Sequence, residues 1–189
     1  MNYFFSLFLY FNVLFLLAQG EKSVFKKINK TKHWDLVFKD NCKKDWTQQW
    51  TLDGLVATVE NSKKGMRFEA GSEYKNDAHH AVLWTKESFS DDIKIEYDFT
   101  RIDSATKAVN ILYIQATGDE QGVYEKDISQ WSELRKIPAM KTYFENMNTF
   151  HISYAAFGNE ENSFHYVRAR RYPKPEDKPF KVTELEPSY

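Results

Sequence analysis

The chain has 189 residues, 42% hydrophobic and 28% charged, a composition that suits one folded domain with its own core and excludes a largely disordered chain. A net charge of −1 excludes a global field drawing the chain to nucleic acid, and a single cysteine, Cys42, excludes both a disulfide framework and a cysteine-rich zinc site. The aromatic fraction of 16% predicts an aromatic-rich sandwich or an aromatic-lined binding face.

Residues 1–20 carry no charged side chain. Their apolar run is short for a spanning helix and is interrupted by Asn12. Ala18 and Gly20 stand at the spacing a signal peptidase accepts, so the expectation is a signal peptide over 1–20 and a secreted or periplasmic protein, with no membrane span after leader removal. The positively charged start of such leaders is missing, and an uncleaved anchor is the competing reading.

From Trp34 onward the pattern is β. Strands are predicted at Trp34–Lys39, Trp50–Leu52, Leu55–Glu60, Met66–Ala70, Ala81–Thr85, Ile93–Arg101, Val109–Ala116, Phe150–Phe157 and Tyr166–Arg170. In Ile93–Thr100 the apolar residues fall on every second position, as in a strand with one wet face. Turn residues separate the runs at Asp53-Gly54, Lys64-Gly65, Gly118-Asp119 and Gly158-Asn159, and Asp53-Gly54 predicts a two-residue hairpin. Asp127–Met140 breaks the rhythm: Ile128, Trp131 and Leu134 recur at helical spacing, Asp127 can cap, and Pro138 stops the helix. Such an insertion either shapes a binding site or plugs the end of a sandwich with Trp131. Tyr172–Tyr189 holds four prolines and many charges and reads as an extended strap or loose end. The expected fold is all-β: an antiparallel two-sheet jelly-roll sandwich with one short helical insertion, spanning 21–172, followed by a tail over 173–189.

Several strands carry polar or aromatic residues on alternate positions. His80 and Trp84 share one parity, as do Glu96 and Asp98, Tyr113 and Gln115, and Arg168 and Arg170. Gathered on one sheet, they would form a sugar-binding face, with flat rings for pyranose faces, fixed donors and acceptors for hydroxyls, and guanidinium forks for a uronate carboxylate. The competing reading for each residue alone is an ordinary solvated position. Glu96 and Asp98 lie as in E-x-D-x-E glycosidases, but Thr100 and Arg101 stand where the third acid is needed, which disfavours that hydrolase class. His151 and Tyr154 could supply base and acid for uronate β-elimination, although their strand parity is opposite. No nucleophile elbow, phosphate loop or zinc-protease motif occurs; His79-His80 points to opposite strand faces, and neither a metal nor a cofactor is expected.

The runs Trp34–Phe38 and Trp50–Gly54 resemble the first strands of concanavalin A-like lectin/glucanase domains. His80–Thr85, Asp92–Phe99, Asn110–Gly118, Asn148–Tyr154 and Tyr166–Tyr172 are similar to the YesU-like bacterial family of unknown function. That resemblance implies a galectin-like sandwich and a link to polysaccharide use, and implies no catalytic residues. Taken together, the expected function is binding of an acidic polysaccharide or oligosaccharide on a concave sheet face through His80, Trp84, Glu96, Asp98, Tyr113, Gln115, Arg168 and Arg170. The alternative is an enzyme of the same fold, a uronate lyase using His151 and Tyr154 or a glycoside hydrolase; a module without a sugar ligand is the third class.

Overall fold

The computed structural model describes residues 26–30, 32–104, 108–156, 166–173 and 182–185. The predicted leader and the Gly158-Asn159 turn lie outside the described residues. The chain divides into two units, Met1–Lys39 and Asp40–Tyr189. In the first, residues 26–30 are helical, the Lys32 ammonium stands 5.7 Å over the Trp34 ring, and His33 meets Asp35 at 3.2 Å. The strand predicted at Trp34–Lys39 is not formed.

The second unit carries strands β1 (Trp50–Asp53), β2 (Thr58–Ser62), β3 (Gly65–Glu69), β4 (Val82–Thr85), β5 (Asn110–Gly118), β6 (Met147–Ala156), β7 (Tyr166–Tyr172) and β8 (Val182–Leu185). They form two-stranded sheets β1-β4 and β2-β3 and a four-stranded sheet in the order β5-β6-β7-β8, every pair antiparallel. The described architecture is therefore mostly antiparallel strand with little helix, as the alternation predicts. β8 comes from the region read as a tail: Val182–Leu185 pairs with β7 and places Glu184 in register with Arg168.

Three local expectations need correction. Asp53-Gly54 closes no hairpin. The residues before it pair with β4, and the tight hairpin lies instead between β2 and β3, where Ser62 pairs with Gly65. The reason is burial: Asp53 is 4% exposed and its carboxylate accepts hydrogen bonds from three distant side chains, so it belongs to the core rather than to a solvated turn.

The predicted helix at Asp127–Met140 is instead a 3-10 run, Ile128–Arg135, broken at Trp131. Asp127 does cap it, accepting from the Ser129 amide at 2.9 Å. The recurrence of Ile128, Trp131 and Leu134 at every third residue is the 3-10 period, which explains the misreading. Pro138 is buried between this run and a separate helix, Met140–Asn146, which the proline-stop reading left out.

The third correction concerns Ile93–Arg101, which forms no ladder among the described residues. Its alternation survives in side-chain contacts: the Tyr97 and Phe99 rings, two residues apart, both meet Tyr154 edge-on, at 6.1 and 5.2 Å.

The core is aromatic. Trp84, Trp131, Tyr143, Met147 and Tyr172 are buried together, with Val82, Tyr113, Ala116, Tyr124, Ile128, Met140 and Phe144 packed against them. Each buried ring removes roughly 150–250 Å² from water, so a few rings do the work of a larger aliphatic core. This accounts for much of the aromatic excess in the composition. Their polar tips are satisfied: Trp131 Nε1 donates to the Glu125 carbonyl at 2.9 Å, and Trp84 Nε1 to Asp53 Oδ2 at 2.7 Å.

Candidate functional site: a polar face on the four-stranded sheet

The site rests on a buried node beneath the aromatic core. Asp53 Oδ2 accepts from Trp84 Nε1 at 2.7 Å, Arg135 Nε at 2.7 Å and the Tyr143 hydroxyl at 2.8 Å. Arg135 is 2% exposed, stacks 4.3 Å from the Trp131 ring centroid, and donates through Nη1 to the Ile128 carbonyl at 2.9 Å. One carboxylate thus ties β1, β4, the 3-10 run and the Met140–Asn146 helix together. A buried ion pair of this kind is held by its extra hydrogen bonds rather than by charge attraction alone. Burial and the neighbouring Asp53 carboxylate hold the Tyr143 hydroxyl proton on firmly, pushing its pKa far above the usual phenol value.

The node orients a slab of rings. Trp84, Tyr113 and Tyr143 lie within 18° of parallel, with centroids 5.6 to 6.3 Å apart. Tyr113 carries the slab onto the four-stranded sheet. The register places Tyr113 opposite His151, His151 opposite Arg170, Ser153 opposite Arg168, and Thr149 opposite Tyr172. Opposite residues of an antiparallel pair share a face. Tyr113, His151, Ser153, Arg168, Arg170 and Tyr172 therefore stand on one side of the sheet, aromatic at one end and basic at the other.

His151 is the hub of that face. It is 3% exposed, with Nδ1 2.7 Å from the Tyr172 hydroxyl and Nε2 2.6 Å from Ser153 Oγ. Burial first, then the Arg170 and Arg168 guanidinium groups, lower its pKa from 6.5 to about 4, so the ring is neutral near pH 7. A neutral ring carries one proton, so one of its two contacts, to Tyr172 or to Ser153, is donated by the ring and the other is accepted by it.

The sequence-predicted residues divide between this face and other places. Tyr113, His151, Arg168 and Arg170 are brought together on it. Trp84 contacts Tyr113, but it comes from the β1-β4 sheet and is 9% exposed, with its ring packed against Tyr113 and Tyr143; in this arrangement it supports the site rather than presenting a free platform. Gln115 departs from the parity of Tyr113. A bulge between Ile114 and Thr117, with Gln115 at φ 55°, breaks the two-residue period, and Gln115 is exposed, donating to the Asp91 carbonyl at 3.2 Å. His80 precedes β4 and is held by the Pro138 carbonyl at 3.1 Å. Glu96 and Asp98 are exposed in the segment without a ladder, and Glu96 meets Lys94 at 2.9 Å.

Tyr154 sits on the sheet face opposite to His151, its hydroxyl pKa raised by burial and by Tyr97, so the two residues do not converge. Asp53, Arg135, Tyr143, Ser153 and Tyr172 were not singled out from sequence. Parity alone marks two of them, Ser153 two residues after His151 and Tyr172 two after Arg170. Among the described residues no group of three His, Cys, Asp or Glu side chains could hold a metal ion, and no helix is long and apolar enough to cross a membrane.

No curated protein and no solved structure matches the chain at significance. A family of unknown function, DUF1961, matches residues 36–174, most of the chain, and the protein belongs to that family.

Proposed function

We propose that this is an exported carbohydrate-binding protein, with a concanavalin A-like jelly-roll sandwich, that takes an acidic glycan on the polar face of its four-stranded sheet. The observation that carries the reading is the placement of Arg168 and Arg170 beside His151 and Ser153, next to the Tyr113 and Tyr172 rings. His151, Ser153 and Tyr172 on this face are buried and Arg168 and Arg170 half-buried, so the two arginines are the groups through which it would meet a glycan. A guanidinium fork matches a planar carboxylate, and neighbouring rings suit the apolar faces of sugars. The positive field of the two arginines acts at the face, since both help to keep His151 unprotonated.

Binding is preferred over β-elimination because His151 is buried and has both ring nitrogens engaged, while Tyr154 lies on the other face. Incubation with a panel of plant and algal polysaccharides tests both readings. The expected result is retention on uronate-bearing polymers with no rise in ultraviolet absorbance from unsaturated products. Such a rise would replace binding with elimination, and absence of retention on every acidic polymer would end the proposal.

A further inference from the structure

We propose that residues 93–100 are an edge strand through which two copies of this chain pair antiparallel, about a two-fold axis at Glu96. The inference does not depend on the glycan reading.

The segment has the pattern of a strand and pairs with none. Ile93, Ile95, Tyr97 and Phe99 alternate with Lys94, Glu96, Asp98 and Thr100. Lys94 Nζ meets Glu96 Oε1 at 2.9 Å, two residues apart on the polar side. The segment is held beside β5: the Asp91 carbonyl accepts from Gln115 Nε2 at 3.2 Å, and the Tyr97 and Phe99 rings rest on Tyr154, which stands opposite Asn110. Yet among the described residues the backbone of 93–100 enters no ladder and no turn hydrogen bond. Ile95, Tyr97 and Phe99 are exposed. An anchored strand with open donors and acceptors is a template for strand addition, and its anchoring lowers the ordering cost of pairing.

Charge selects a second copy as the partner. Edges guarded against pairing carry proline or charges of one sign; this segment has no proline and charges of both signs. Antiparallel pairing centred on Glu96 sets Lys94 opposite Asp98 of the partner subunit, twice by symmetry, with Ile93 opposite Phe99 and Ile95 opposite Tyr97 on the other face. Glu96 then faces its own copy, each carboxylate already beside a Lys94 ammonium. Moving the axis one residue to Tyr97 sets Glu96 against Asp98, and moving it to Ile95 sets Asp92 against Asp98. A slip of one residue sets apolar side chains against charged ones. The Glu96 register is therefore the favoured one.

The test is sedimentation equilibrium of the full chain, with Lys94→Glu, Asp98→Lys and the double variant. All these side chains are exposed, so the core is untouched. One strand pair is a small contact, and a dimer dissociating at roughly 10–100 μM is expected. Each single charge reversal should weaken it roughly tenfold, and the double reversal, which restores opposite charges, should recover it. Glu96→Cys in a Cys42→Ser background should cross-link the dimer under mild oxidation, because the residue on the axis faces itself, whereas Asp98→Cys should not. A wild-type chain that stays monomeric, a dimer indifferent to both single reversals, a double variant that fails to recover, or cross-linking through Asp98→Cys as efficient as through Glu96→Cys would each overturn the proposal.

Discussion

Replacing His151 with Gln removes a titratable group from the centre of the polar face while keeping a hydrogen-bond donor and an acceptor there. In the wild type, burial and the nearby Arg170 and Arg168 hold the ring's pKa at about 4, against 6.5 for an ordinary histidine. The sign follows from proton counts. Above pH 6.5 both the folded and the unfolded chain hold a neutral ring, and this group's contribution to stability is fully present. As pH falls from 6.5 toward 4, the unfolded chain takes up a proton that the folded chain refuses, so stability drops by roughly 1.4 kcal/mol per pH unit across the window. The total loss is about 3 kcal/mol, and below pH 4 this group adds nothing further. Other groups also titrate across this range, so the informative quantity is the difference between wild type and His151→Gln. Urea unfolding followed by tryptophan fluorescence from pH 7.5 to 4.5 is expected to show a steeper decline for the wild type, with the variant losing about 2–3 kcal/mol less over the range. Parallel curves for the two proteins would refute a buried, neutral His151.

Other outcomes follow from the same contacts. Asp53→Asn leaves Arg135 buried without its counter-charge and is expected to cost roughly 3–5 kcal/mol, whereas Tyr143→Phe, which removes one donor to Asp53, should cost about 1.5–3 kcal/mol; thermal melts rank the two, and an Asp53→Asn protein as stable as wild type would contradict the node. Gly118→Ala places a methyl group against the backbone carbonyls of Glu125 and Tyr124, which cannot move aside as a side-chain tip can, so a loss of about 1–3 kcal/mol is expected in the same assay. Arg168→Ala should weaken acidic-glycan binding roughly ten- to a hundredfold with little change in fold, and Arg168→Lys should restore only part, because an ammonium lacks the planar fork; isothermal titration at two salt concentrations measures both.

The sheet that carries the site was largely legible in the sequence. β5, β6 and β7 each carry alternating or β-rich runs, and strand parity correctly groups Arg168 with Arg170 and separates His151 from Tyr154. Periodicity finds strands, but it does not assign partners. The pairing of β1 with β4 depends on Asp53 serving as a buried acceptor for Trp84, Arg135 and Tyr143, up to 90 residues away, and no local pattern encodes that. An aspartate followed by glycine read locally as a turn for the same reason. The bulge at Gln115 escaped because one residue at positive φ shifts every later side chain without altering the run's composition. The 3-10 run escaped because a spacing of three fits both helix types over so short a stretch. Trp84 reads as a sugar platform from sequence because aromatic residues are common both in binding faces and in cores, and what packs against the ring decides between them.

The most direct measurement of the central claim is the affinity of the full chain for one uronate polysaccharide before and after chemical reduction of its carboxyl groups. The account predicts binding to the acidic polymer, weakened by salt, and a loss of roughly tenfold or more on reduction. Equal affinity for the two polymers would contradict recognition through Arg168 and Arg170.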